Sequence, residues 1–467
     1  MTGLKYEDYC WREQELEGGV EMLSVGEGGG GGGLEKKSSP LLKFLLKKAC
    51  ENARSASLFY WGVAVESDQC PDPDTEKWYL KVKGIILKTL AKKSPKIYNI
   101  LEGQIEFRVQ MKTINENLVG GMDVRKKYLK SEIIGSTGNF IRDIMPGITD
   151  MFILSQDKKP HFVEKTTVWK SKTSPCGIWF NIDEAKALPS YGIMYKNGDD
   201  LRMDQLIMQT VSLLDFLMKG VQVDLRLTPY QVLAYSKTDG VLELVPESLD
   251  VQEIEEKHGN IGNWFQFLVE KNELKKNSGE PIDEFFDCPK KEARKKLEDN
   301  FVNSLAGYCV VTYLLGIGDR HLENIMINNL GKFFHIDFGF AMGEDPNMSK
   351  PPPFKLTPNM INAFGGEESP NFKVFCSKFV AYFLKLRCHS NLIINLLYMM
   401  TDSDLNVNPN KNVKLGTAHV NDIADKLLLG ESDQHAERWC TELLKDSLSN
   451  VRARMQDQFH KFASWVK

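Results

Sequence analysis

Two short runs hold the side chains best suited to chemistry. The first reads Gly318-Asp319-Arg320-His321-Leu322-Glu323-Asn324, and the second His335-Ile336-Asp337-Phe338-Gly339. Phosphoryl transfer from ATP needs metal ions on the phosphates, an acceptor for the hydroxyl proton and a cation against the phosphate charge. Magnesium takes hard oxygen ligands, usually a carboxylate or two completed by phosphate and water. Asp337 and Asn324 offer such oxygens from two adjacent loops. His321 is the candidate proton acceptor, because a neutral imidazole can take a hydroxyl proton near neutral pH. Asp319 would orient or stabilise it. Singly, the His reads equally as a satisfied buried ring and the Asp as a turn residue. Both runs together, after the apolar stretch Leu305–Leu315, point to a kinase. His335 alternates with Asp337 along a strand and reads as structural.

A phosphate cation is offered by Lys196, at the end of the strand-like run Gly192–Lys196 and shortly before a helical pattern. Upstream, Lys170-Ser171-Lys172-Thr173-Ser174-Pro175 sits at a strand–turn–strand position. Ser171 and Lys172 could close over phosphates with hydroxyl and amide groups. An ordinary polar hairpin explains the same residues. No Walker A sequence occurs, which argues against a P-loop ATPase.

The elements that must position these groups follow from hydrophobic periodicity. Helical spacing runs through Leu41–Ala49, Leu58–Val63, Trp78–Leu90 and residues 97–119, with Lys81, Lys83, Lys88, Lys92 and Lys93 on solvated faces. Residues 26–33, Gly but for Glu27, read as a flexible linker. Near Gly147 the pattern changes to short β-type runs at Ile148–Leu154, Thr166–Trp169, Ile178–Ile182 and Tyr191–Tyr195. A helix is predicted over Arg202–Met218, then strands at Leu225–Leu227, Gln231–Ser236 and Gly240–Val245. Past Asp250 the chain reads as mainly helical to its end, apart from strands at Ile325–Ile327 and Phe333–Phe338. The expected fold class is α+β: an N-terminal helical-repeat domain, then a bilobal kinase domain with a small β-rich lobe and a large helical lobe. The expected organisation is a short segment of the helical domain at 1–25, a linker at 26–40, the helical domain at 41–146, the small lobe at 147–245 and the large lobe at 246–467.

Composition removes other classes. A net charge of −4 argues against a dedicated nucleic-acid binder, and no nucleic-acid partner is expected. The 9 cysteines form no C-x-x-C pair, which reads as reduced thiols in a cytosolic protein. The polar stretch Met1–Tyr9 is no signal peptide, and the apolar stretch near Leu392–Met400 is too short to span a bilayer. A lipid substrate would be reached from the water side.

The D-R-H order, with Asn three residues after the His, is the inverse of the protein-kinase H-R-D and resembles the phosphoinositide 3/4-kinases. More closely, the chain resembles the class III phosphatidylinositol 3-kinases, the catalytic subunit of the vacuolar protein sorting type. G-D-D-L-R-M-D-Q (198–205), L-T-P-Y (227–230), the run 306–321 ending in G-D-R-H, P-P-P-F-K-L (351–356), S-N-L-I-I-N-L (390–396) and H-K-F-A-S-W (460–465) carry the similarity, with Leu42–Trp61 similar to the family's helical domain. The resemblance implies that Lys196 contacts phosphate and that Asp204 and Tyr230 line the inner nucleotide pocket. It also implies that Glu243, Leu244 and Val245 form the adenine hinge and that Ile336 lies on the pocket floor. Phe338 to about Leu356 would be the activation loop that reads the lipid headgroup, with Lys350 and Lys355 set against Glu344 and Asp345. That balance suits unphosphorylated phosphatidylinositol better than a bisphosphate; a plain spacer is the alternative. In Val451–Lys467, apolar residues recur at helical spacing, so that Phe462 and Trp465 could enter a lipid interface. Docking onto the large lobe is the other reading.

Departures from the family pattern are Met203 for the usual Gln, Phe340 for the usual Tyr, and the segment between Ser171 and Pro175. The family's N-terminal C2 domain has no counterpart, which reads as a fragment or a naturally shortened protein. The expected activity is ATP-dependent phosphorylation of the 3-hydroxyl of phosphatidylinositol, with Mg2+ (Mn2+ as an alternative), in endosomal or vacuolar trafficking and autophagy. The expected location is cytoplasmic and peripheral to endosomal or autophagic membranes. Expected partners are a regulatory pseudokinase-like subunit and a Beclin-type protein. The rivals are a phosphatidylinositol 4-kinase, a related protein kinase, or a non-catalytic scaffold that binds regulatory subunits.

Overall fold

Several helices in this chain start where a capping residue precedes proline. Proline is pre-set for the first helical position, while the residue before it can accept an orphan amide. In the computed structural model, which describes residues 39–68, 70–134, 162–181, 191–346 and 353–448, Pro40 opens α1 (Pro40–Glu51) behind Ser39, whose hydroxyl accepts from the Leu42 amide at 3.3 Å. Pro73 opens α3 (Pro73–Lys93) behind Asp72, which accepts from the Thr75 amide at 3.0 Å. Pro95 opens α4 (Pro95–Glu116). Between them lie α2 (Ala53–Ser67) and, after α4, α5 (Met122–Ile134). The linker at 26–33, the run Ile148–Leu154 and the expected boundary near Gly147 lie outside the described residues.

The chain divides into two compact units. The first runs to Asp200 and includes Leu233–Glu243. It joins α1–α5 to a five-stranded sheet of order β1-β2-β3-β5-β4, built from β1 (Phe162–Val168), β2 (Cys176–Asn181), β3 (Tyr191–Asn197), β4 (Val232–Ala234) and β5 (Asp239–Leu244). β2 pairs antiparallel with β1 (Val168 opposite Cys176) and with β3 (Cys176 opposite Tyr195). Helices and sheet share one core: Trp61, Phe107 and Leu129 from the helices meet Phe180, Ile193 and Tyr195 from the sheet and Tyr235 just past β4. The shared core follows from the sheet's alternation, which gives it an apolar face that the helices cover.

The second unit comprises Leu201–Val232 and Leu244 onward. α6 (Arg202–Gly220) is followed by α7 (Val251–His258), α8 (Ile261–Ser278) and α9 (Lys290–Leu315). α9 is buried almost continuously from Asn300 to Leu315, which explains its long apolar run. It packs against α8, α11 (Pro370–Arg387) and the last strand of a sheet ordered β6 (Ser248–Asp250), β7 (Ile325–Asn328), β8 (Phe333–His335). α10 (Pro358–Ala363), α12 (Ser390–Tyr398) and α13 (Thr417–Lys426) follow, and residues 433–448 are helical.

Two local expectations are corrected. Leu225–Leu227 forms no strand. Asp224 accepts from the Arg226 amide at 2.9 Å and Arg226 takes φ 54°, a turn that breaks extended pairing. Leu225 and Leu227 instead press on Gly307 of α9, where a Cβ would lie 3.1 Å from each. A short hairpin, β9 (Asn406–Asn408) and β10 (Val413–Lys414), interrupts the region read as mainly helical apart from Ile325–Ile327 and Phe333–Phe338.

Candidate functional site

The site in the second unit begins where α9 ends. Gly316 takes the left-handed conformation (φ 56°) and closes the helix. A Cβ there would stand 2.4 Å from the Gly343 amide nitrogen, so the segment after β8 can lie directly on the helix end. Backbone bonds join the two: Met342 donates to Leu315 (2.8 Å), Gly343 to Gly316 (2.9 Å) and Gly318 to Phe340 (3.0 Å). Gly318 is the tightest point, since a Cβ would sit 2.2 Å from the Glu344 carbonyl oxygen.

This ladder sets the two loops side by side. Asp319 and Asp337 both adopt positive φ (54° and 60°), a region that non-glycine residues occupy at a cost. The Asp319 amide donates to Asp345 Oδ2 at 3.0 Å. The Asp319 carbonyl accepts from the His321 amide (3.1 Å) and from Asn324 Nδ2 (3.0 Å). That tether leaves Asn324 Oδ1 as the atom of this amide that can reach a cation. The Ile336 amide donates to the Asn324 carbonyl at 3.2 Å.

Arg320 fastens the loops from within. Its Nη1 donates to the Ile336 carbonyl at 3.0 Å, Nη2 to the Asp337 carbonyl and Nε to the Gly318 carbonyl, while its guanidinium lies 5.6 Å from the Phe338 ring centre. Burial pulls its pKa down, opposed by Asp337 and Asp319; an arginine remains charged regardless. On the other side, buried Asp204 accepts from the Phe338 amide through Oδ1 at 3.1 Å. Tyr230 is buried with its ring 6.5 Å from that of Phe334. Burial, with Asp204 next, pushes its phenol well above the usual range, so it is neutral.

His321 is exposed, with Nδ1 3.7 Å from Glu323 Oε2. Asp319 acts on it visibly through the backbone carbonyl that holds its amide. Asn324 is buried and the Asp337 side chain is exposed. A buried amide oxygen and an exposed carboxylate on rigid adjoining loops suit a magnesium ion whose remaining ligands are phosphate and water oxygens. Among the described residues no three His, Cys, Asp or Glu side chains cluster as a metal cage. His335 is enclosed by Tyr308 and Phe333 (ring centres 5.6 and 5.1 Å away), and burial, with the Arg320 charge, holds its pKa well below 6.5.

The remaining expected residues lie as follows. Lys196 is the penultimate residue of β3 in the first unit, with Nζ 3.7 Å from Asp199 Oδ2. Ser171 and Lys172 are exposed on the β1–β2 turn, where Ser174 takes φ 49° and its amide donates to the Ser171 carbonyl at 3.3 Å. Glu243 is in β5 and Val245 just beyond it, where the chain leaves the first unit for the second. Ile336 is half-buried after β8. Lys355 is half-buried between Phe354 and Leu356, which are both buried, Phe354 against Phe379 at 5.1 Å. Lys350, Phe462 and Trp465 lie outside the described residues.

Sequence reasoning missed the positioning work of Arg320, Asp345 and Asp204. Arg320 is visible inside the D-R-H run, but nothing local says that its fork reaches residues 336 and 337. Glu344 and Asp345 had been weighed only as loop charge. Asp345 instead holds the Asp319 amide, and Glu344 Oε2 accepts from Asn408 Nδ2 at 2.6 Å.

Comparison with known proteins bears on this geometry. Residues 190–407 match the sequence profile of the family described as phosphatidylinositol 3- and 4-kinase. The phosphatidylinositol 3-kinase VPS34 of Saccharomyces cerevisiae is 33% identical over 91% of this chain and 45% of its own length. The phosphatidylinositol 3-kinase pik3 of Schizosaccharomyces pombe is 31% identical over 92% of the chain and 51% of its own. VPS34 of Arabidopsis thaliana is 30% identical over 91% and 50%. The chain thus spans about half the length of the curated relatives it matches. Its fold is a helical N-terminal part, α1–α5, followed by a mixed α and β region that contains the residues matching this profile. No helix among the described residues is long and apolar enough to cross a membrane.

Proposed function

From a chain homologous to the phosphatidylinositol 3-kinases over most of its length and carrying a phosphatidylinositol 3- and 4-kinase domain, we propose an ATP-dependent lipid kinase that phosphorylates the 3-hydroxyl of phosphatidylinositol. The observation that carries the reading is the pair of loops locked by Arg320. It holds Asn324 and Asp337 side by side and leaves His321 on the surface, where a lipid hydroxyl can reach it. Mg2+, or Mn2+ in its place, would be held by Asn324 and Asp337 and would neutralise charge on the transferring phosphate. His321 takes the proton of the attacking hydroxyl as the inositol oxygen bonds to the γ-phosphorus and the bond to ADP breaks. Asp319 holds the loop of that histidine. Lys196, with Ser171 and Lys172 of the same unit, is assigned a phosphate-contacting role by the family resemblance. Tyr230, Asp204, Val245 and Ile336 of the second unit line the nucleotide pocket.

The headgroup is read by Lys350 and Lys355, and Phe462 and Trp465 make the membrane contact. The names of the relatives support the 3-position; the domain profile is shared with 4-kinases, so the ring isomer is the deciding measurement. The place of action is the cytoplasmic face of endosomal or autophagic membranes, in trafficking and autophagy, with a regulatory pseudokinase-like subunit and a Beclin-type protein as partners. The test is incubation with Mg-ATP and phosphatidylinositol vesicles and identification of the product isomer. Phosphatidylinositol 3-phosphate is expected. The 4-phosphate would replace the positional assignment, and ATP turnover indifferent to lipid would sink the lipid reading.

A further inference from the structure

The end of β3 is gripped on both sides of Lys196 by one helix of the same unit. Strand residues alternate faces, so Tyr195 and Asn197 share a face and Lys196 takes the other. Asn197 Nδ2 donates to Asn115 Oδ1 at 3.2 Å. Tyr195 Oη donates to Asp239 Oδ2 at 3.3 Å, and the same carboxylate is held by Arg108 through Nε (2.9 Å) and Nη2 (2.8 Å). Arg108 and Asn115 are both in α4, seven residues apart and so nearly on one line along the helix.

The grip continues into the turn before β5. Asp239 is fully buried and also accepts from the Ser236 hydroxyl. The adjoining Thr238 carbonyl accepts the amides of Gly198 (2.7 Å) and Asp199 (3.2 Å). Asp199 Oδ2 in turn lies 3.7 Å from Lys196 Nζ and accepts from Thr173 Oγ1 at 3.3 Å. A bidentate arginine on a wholly buried carboxylate fixes that carboxylate in orientation as well as place.

We propose that Arg108 and Asn115 of α4 are positioning residues for Lys196, acting through the Asp239 turn and through Asn197. Helical-part substitutions that touch no ligand should then weaken recognition of the nucleotide phosphates. The inference rests on Lys196 contacting phosphate, and the test separates the two ideas. Affinities for Mg-ATP and for adenosine, which lacks phosphates, are measured by calorimetry on the full chain and on R108Q, R108K, N115A, K196A and R108Q/K196A. R108Q should weaken Mg-ATP roughly tenfold and leave adenosine unchanged, since small misplacements of a charged group are costly. N115A should act in the same direction, R108K should recover part of the loss, and the double variant should bind no worse than K196A. If R108Q does not fold, N115A decides. K196A losing Mg-ATP affinity while R108Q and N115A do not, or while these lose both ligands equally, overturns the positioning role. K196A with unchanged Mg-ATP affinity removes Lys196 from the phosphates, and the inference falls with it.

Discussion

At the scale of single residues, the loops around Arg320 separate the groups proposed for chemistry from the groups that hold them. Asp337 is held through its carbonyl by Arg320, while its exposed carboxylate makes only a long contact, accepting from the Gly339 amide at 3.5 Å, which an amide oxygen could also accept. Asp337→Asn should therefore abolish lipid phosphorylation with an unchanged melting temperature and circular dichroism; retained turnover would end its role as metal ligand. His321→Ala should lower kcat by roughly 10²–10⁴-fold and leave ATP affinity near normal, the usual scale for loss of a general base. Gly318→Ala belongs to the other class. The added methyl would stand 2.2 Å from the Glu344 carbonyl oxygen, so stability and activity should fall together, as thermal melts and turnover on one sample would show. His335 predicts a pH effect. Its folded pKa lies well below the 6.5 of a free imidazole, so below pH 6.5 the unfolded chain binds a proton that the folded chain does not. Its contribution to stability is complete above that pH and declines by up to about 1 kcal/mol per unit as pH falls below it. Denaturant titrations at pH 7 and 5.5 should show a smaller loss in His335→Phe than in the parent; equal losses would mean that His335 does not titrate this way.

At the scale of elements, most helices and strands were legible because local chemistry declares them. Ser39-Pro40, Asp72-Pro73 and Ser94-Pro95 mark starts, and so do Thr357-Pro358 and Ser369-Pro370 in the second unit. The Ser369 hydroxyl accepts from the Phe372 amide at 3.1 Å, so Ser369→Ala should cost about 1 kcal/mol in chemical denaturation; no change would mean that Pro370 alone sets the start of α11. The pattern misled at Leu225–Leu227, where alternating apolar residues resemble a strand. Both leucines are buried, but on α9 beside Gly307, and the positive φ of Arg226 prevents pairing. Alternation reports which residues seek burial; it does not say whether a partner strand waits there.

At the scale of the molecule, the first unit uses one core for two kinds of structure. Trp61 of α2 donates to Gln104 at 2.8 Å and lies 4.4 Å, centre to centre, from Tyr235 beyond β4. Trp61→Ala should cost about 3–5 kcal/mol, the range for large core truncations. Hydrogen exchange should then accelerate in β2 and β3 as well as in α2 and α4. Faster exchange confined to the helices would show that the sheet is stable without them.

The sequence alone marked most of the helical and β-rich segments and singled out Asp319, His321, Asn324 and Asp337 as candidates. Those properties are set by composition, period and spacing within a few residues of chain. The tertiary structure decided which groups hold these residues. Arg320 reaches carbonyls 16 and 17 residues away, Asp345 caps an amide 26 residues back, and Arg108 meets a carboxylate 131 residues distant. Such contacts leave no local trace, because any surface Arg or Asp has the same appearance in sequence until folding brings its partner within hydrogen-bond reach. The two candidate loops were thus readable from their residues, but the contacts that hold them together were not.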